Sequence, residues 1–145
     1  MKYKFFSLLL VLFTLSSCSL LFSEERTPET ILKQVWGLDV SDVEHNVRTY
    51  EEQWCPNGDG QVIIVMDVVL DSDDIEQLKA KGAKPLPIPD DAINKWGKLN
   101  IESKIGVDNA SEGYYIYKQL QQELECKFLM YDSANGVLYY YINIM

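Results

Sequence analysis

The stretch from Gln61 to Leu70, QVIIVMDVVL, constrains this chain more than any other. Its β-branched residues lose rotamer freedom in a helix and pack well on a pleated surface, so the run is expected to form a strand. A strand with one wet face alternates apolar and polar residues. This one barely alternates, so it belongs inside a sheet and is expected to be covered on both faces.

Local signals on either side of that strand divide the rest of the chain. Thr27, Pro28 and Glu29 open a helix with a hydroxyl cap, a first-turn proline and a carboxylate at the positive end of the dipole. Ile31, Leu32 and Val35 share one face with Trp36 at its border, and Gly37 ends the helix. Val43 to Trp54 reads as a more polar strand, joined to the apolar one through the turn-rich Cys55 to Gly60. A second helix starts in Asp71 to Glu76, with Asp73 and Glu76 spaced as a capping box and Gly82 closing it. The acidic residues there suggest a calcium loop, but the glycine and late glutamate of an EF-hand are missing, so the helix cap is the expected role.

Three prolines at alternate positions, Pro85, Pro87 and Pro89, force an extended path that suits neither a helix nor a central strand. Asp90 to Trp96 fits a short helical turn stopped by Gly97, and Lys98 to Glu112 is expected to be loop. Gly113 to Tyr117 reads as strand, whereas Lys118 to Glu125 carries helix-forming residues, so the boundary between them stays open. Asn135-Gly136 between the β-rich runs 127–132 and 137–144 is a strong hairpin signal. The expected fold is α+β: an antiparallel sheet of four or five strands with two or three short helices packed on one face.

The amino terminus carries an address. Lys2 and Lys4 precede the apolar run Phe5 to Leu15, the order of a secretory signal. That run ends in Leu15-Ser16-Ser17-Cys18, which resembles the lipobox of bacterial lipoproteins. The resemblance implies a signal peptide over 1–17, a diacylglycerol group on the Cys18 thiol, a lipidated tether over 18–26 and a single domain over 27–145. An uncleaved membrane helix from Phe5 to Phe22 is the competing reading, since spanning takes about 20 apolar residues. Ser and Thr within that stretch argue against it. The expected location is the cell envelope, lipid-anchored on the extracytoplasmic side, and the outer membrane in a two-membrane cell because no Asp follows Cys18. Two or three acyl chains suffice as an anchor, at about 0.8 kcal/mol per buried CH2.

Charge narrows the partners. Loss of Lys2 and Lys4 with the leader takes the formal charge from -9 to -11. Phosphate contacts need clustered Lys and Arg, so a nucleic acid is not expected, whereas a basic protein is a suitable partner. With Cys18 lipidated, Cys55 and Cys126 form an even pair in an oxidising compartment, open to a disulfide or to two idle thiols. No CxxC motif supports redox chemistry.

Further short segments carry a second resemblance: Leu38-Asp39-Val40-Ser41, Tyr50-Glu51, Gly58-Asp59-Gly60, Leu86-Pro87, Gly113-Tyr114-Tyr115, Tyr131-Asp132 and Leu138 to Tyr141. In this order they are similar to small uncharacterised bacterial proteins, some of them lipoproteins. The resemblance spans most of residues 37 to 145 and implies a shared fold without a known activity.

Catalytic parts are sparse. The one histidine, His45, lies among Glu44, Asn46 and Arg48 and reads as a surface or cross-strand residue. A serine triad or a typical zinc site would need more. Paired carboxylates among Asp59, Asp67, Asp71 and Asp132 leave a hydrolase as a minor alternative, with Asp59 exposed between two glycines. No catalytic residue, metal site or cofactor is assigned. The tyrosines are more suggestive: Tyr139 and Tyr141 point to one face of a strand and Tyr140 to the other. Tyr114, Tyr117, Tyr139, Tyr141 and Asp59 are therefore the candidate binding surface, against the plainer role of cross-strand aromatic pairs. The expected function is a non-catalytic, membrane-anchored binding module. Alternatives are an inhibitor or immunity-type protein against a basic toxin or wall hydrolase, and an accessory of an envelope complex.

Overall fold

A computed structural model describes residues 26–107, 110–122 and 124–145. Cys18, the leader and all of the tether before Arg26 lie outside the described residues. The chain runs α1 (Pro28–Trp36), β1 (His45–Trp54), β2 (Gly60–Val68), α2 (Ser72–Ala80), β3 (Lys84–Pro85), α3 (Lys95–Ile105), β4 (Gly113–Gln119), β5 (Cys126–Asp132) and β6 (Val137–Ile144). The fold is α+β, with one six-stranded sheet in the order β1-β2-β6-β5-β4-β3 and every neighbouring pair antiparallel. The sixth strand, beyond the four or five expected, is the two-residue β3. Pro85 can sit there because an edge strand tolerates a missing donor.

Alternation along the strands builds two cores. Ile64 and Met66 of β2, Leu129 and Tyr131 of β5, and Leu138 and Tyr140 of β6 face Ile31, Leu32 and Trp36 of α1 and Leu78 of α2. Ile63 and Val65, Phe128 and Met130, and Val137 and Tyr141 face the other way, against Ile93 and against Ile101 and Ile105 of α3. The helices thus cover both faces, not one. This corrects the expected layering and agrees with the unbroken apolarity of β2, whose residues 62 to 66 are all buried.

Each helix boundary has a local cause. The Thr27 hydroxyl accepts from the Thr30 backbone N–H, Thr30 returns the bond, and Gly37 caps the other end of α1. Trp36 is fully buried rather than at a border, meeting Tyr140 edge-on with ring centroids 6.2 Å apart. In α2 the cap is Asp71, not Asp73: its carboxylate accepts from the Asp73 and Asp74 backbones, and Asp74 closes the box.

The larger correction concerns α3. Lys98 to Ile105, the first part of the segment expected as loop, belong to an eleven-residue helix that begins at Lys95, is capped by Asn94 and runs through Gly97 to its C-cap Gly106. Lys118 and Gln119 belong to β4, and the described residues between it and β5 form no helix: the buried Glu125 carboxylate accepts there from the backbones of Gln121 and Gln122, and from that of Met145. Gly113 starts β4 at φ 124°, where a side chain is disfavoured, and a Cβ there would lie 1.9 Å from the Tyr131 carbonyl oxygen.

Candidate functional site

The proline-rich segment and α3 lie over the same end of the second core and leave a cleft of about 390 Å³ between them. After a last bond from the Leu86 N–H to the Gly113 carbonyl, the chain bends away from the sheet through a cis Leu86–Pro87 bond rather than running straight on, and Leu86 to Pro89 form one wall. Ile93, Ile101 and Met130, all buried, line it. Val107 and Ala110, beyond the end of α3, complete the apolar lining among the described residues. Size and lining suit a small ligand or an inserted side chain.

Polar groups gather where the cleft meets solvent. Lys98 lies 3.9 Å from Asp90 and 4.0 Å from Glu102, with Ser111 on the same lining. All three charged side chains are at least half exposed, so water screens them and their mutual attraction is weak. The excess of one carboxylate leaves the mouth mildly negative. Nearby, burial and the charge of Asp91 push the Tyr115 hydroxyl above its usual range.

No family model, curated protein or solved structure matches this chain. A site here is therefore defined by geometry.

That geometry does not assemble the residues singled out from the sequence. Tyr139 and Tyr141 do share a face, as alternation requires, and Tyr117 joins them in the second core. Tyr114 lies in register with Tyr131, which faces the first core, and its ring sits 5.3 Å from the Lys79 ammonium. Tyr141 is only 1% exposed, and burial together with Cys126 pushes its hydroxyl up to about 12. Tyr117 is likewise pushed up to about 12, first by burial. Asp59 stands in the β1–β2 turn, bonded to Asn57. None of the five lines the cleft.

The two cysteines are free, with Cys55 exposed and Cys126 buried, so the disulfide left open by the sequence is not formed. Register explains this. Gln53, Gln61, Asn143 and Cys126 lie in one row across β1, β2, β6 and β5. Three strand spacings amount to about 14 Å, whereas a disulfide needs Cα atoms within about 7 Å. Burial raises the Cys126 thiol to about 11.

His45 has a structural setting. Its Nε2 lies 2.9 Å from Glu29 Oε1 and its Nδ1 2.7 Å from the Val43 carbonyl, tying β1 to the start of α1. The Val43 carbonyl and the Glu29 carboxylate favour the charged ring and raise its pKa. Asp67 pairs with Arg48, and Asp132 caps the terminal hairpin through Ala134 and Asn135. Among the described residues no three His, Cys, Asp or Glu side chains gather as metal ligands would, and no helix is long and apolar enough to cross a membrane. The cleft is not legible in the sequence, because Leu86, Ile88, Ile93, Ile101 and Val107 have no common spacing until α3 is recognised as a helix.

Proposed function

We propose that this chain is a membrane-anchored binding module of the cell envelope that holds an apolar ligand in the cleft between residues 86–93 and α3. The observation carrying the reading is the cleft itself: a concave space of about 390 Å³ with aliphatic walls and its charges confined to the mouth. Burying a ligand of matching shape gains about 25 cal/mol per Å² of apolar surface, while the mouth orients its polar end. The lipobox-like Leu15 to Cys18 supports the anchor.

Two measurements test it. Saturable binding of a neutral apolar dye such as Nile red, lost in Ala110→Trp with the circular dichroism spectrum unchanged, is the expected result. Non-saturable uptake, or binding indifferent to that substitution, overturns the cleft. For the anchor, fatty-acid labelling in cells should disappear in Cys18→Ser.

The acidity of the chain supports a second reading, in which a basic protein inserts an apolar side chain into the cleft while Asp90 and Glu102 meet its charges. Salt-sensitive capture of a basic envelope enzyme, weakened by Asp90→Asn with Glu102→Gln, separates this from small-ligand binding.

A further inference from the structure

The second core holds Tyr115, Phe128 and Tyr141, yet no aromatic ring lines the cleft above it among the described residues: its apolar walls are aliphatic, with the thioether of Met130. A flat aromatic ligand finds no ring there to stack on. An alkyl chain gains from each methylene it buries and bends to follow the walls. Size narrows this further. A cavity of about 150 Å³ accepts benzene, so on the order of a dozen carbons fit in the cleft's 390 Å³. That is one alkyl chain, fewer carbons than the two chains of a bilayer lipid and more than a single inserted side chain. At the mouth, Lys98 Nζ stands 3.9 Å from Asp90 and 4.0 Å from Glu102. Both distances exceed hydrogen-bond length, so two carboxylates converge on an ammonium that neither of them holds.

We infer that the ligand of this cleft is a single-chain aliphatic amine, with its alkyl chain between Leu86–Pro89 and α3 and its ammonium between Asp90 and Glu102, in place of Lys98. A primary ammonium brings three N–H donors, enough to reach both carboxylates at once. Lys98 itself marks the position, because its own ammonium already lies between them. The net charge of -9 works in the same direction, drawing cations toward this surface and keeping anionic amphiphiles away. Since all three charged side chains at the mouth are at least half exposed, the head group contributes selectivity and the chain supplies most of the affinity. The inference rests on the cleft as a binding site and names the class of ligand it takes.

The test uses the full chain and measures displacement of Nile red by straight-chain alkylammonium salts from butyl to tetradecyl, each below its micelle concentration. Affinity should rise about three- to fourfold per methylene and level off near dodecyl. A plateau already at butyl overturns the inference in favour of an inserted side chain. At equal chain length the ammonium should bind about two- to fivefold more tightly than the alcohol, and the carboxylate more weakly than either. Asp90→Asn with Glu102→Gln should erase that order and leave the affinity of the alcohol unchanged. Lys98→Gln, which removes the competing ammonium, should tighten the alkylammonium and not the alcohol. Equal binding of all three head groups to the unmodified chain overturns the amine. Absence of saturable Nile red binding rejects the cleft and the amine together, whereas Nile red that binds saturably and is displaced by no alkylammonium rejects the amine alone.

Discussion

The Tyr117 hydroxyl occupies the place where a side chain on Gly97 would have to go: a Cβ there would lie 2.4 Å from that oxygen and 3.0 Å from Ile93 Cγ2. The same hydroxyl bonds Gln119 Oε1 at 2.7 Å, and Asn94, the cap of α3, also bonds Gln119. A residue expected to bind a partner thus supports one wall of the cleft. Gly97→Ala should cost about 1–3 kcal/mol, as overpacking does. The cost should shrink in a Tyr117→Phe background, where the oxygen is gone. Equal costs in both backgrounds, measured by urea unfolding, would show that α3 does not depend on this contact.

Tyr131 reaches across the first core to accept the Leu70 backbone N–H at 3.1 Å. Both residues are buried, so Tyr131→Phe leaves that donor without its partner. The expected loss is about 1–3 kcal/mol. Hydrogen exchange at the Leu70 amide should accelerate by more than that at neighbouring β2 amides.

The pair of His45 and Glu29 predicts a pH window. The His45 pKa is raised from 6.5, so its contribution is complete below that pH and fades as pH rises through the folded value. Burial opposes the charge on Glu29, but hydrogen bonds from Thr27, its own backbone and His45 outweigh this and lower its pKa from 4.5. Its contribution is present above 4.5 and fades as pH falls through the lower folded value. The pair therefore acts most strongly between pH 4.5 and 6.5. His45→Gln should cost about 1 kcal/mol at pH 5.5, after allowing for partial exposure, and less at pH 8. Thermal melts of both proteins at the two pH values check this.

Cys55 and Cys126 should separate cleanly by reactivity. Exposed Cys55 should alkylate within minutes at pH 8, while Cys126, buried and raised to about 11, should react only on unfolding. Peptide mapping after iodoacetamide treatment distinguishes them. Recovery of a peptide linked through both residues would contradict the register of β1, β2, β6 and β5.

Elements whose signals are local are legible in the order of the residues. The hairpin around Asn135-Gly136, the Thr27 cap and the strand Gly60–Val68 each follow from residues within a turn or a single strand. Helix α3 is not, because Gly97 reads as a stop when only its neighbours are considered. Its presence inside the first turn makes sense once Tyr117, twenty residues later, is seen to press against it. The five residues of the expected surface lie apart for a related reason. Alternation places Tyr139 and Tyr141 on a common face, but burial of that face depends on α3 covering it.

By itself the sequence determined the α+β class, the interior position of β2 and the sharp net acidity, because these depend on composition and on neighbours a few residues apart. Tertiary structure alone decided that helices cover both faces, that Cys55 and Cys126 stand apart, and that residues 86–93 and α3 enclose a cleft. Those features depend on which strands lie side by side and on what packs above them, and pairings between residues distant in the chain leave no local pattern to read.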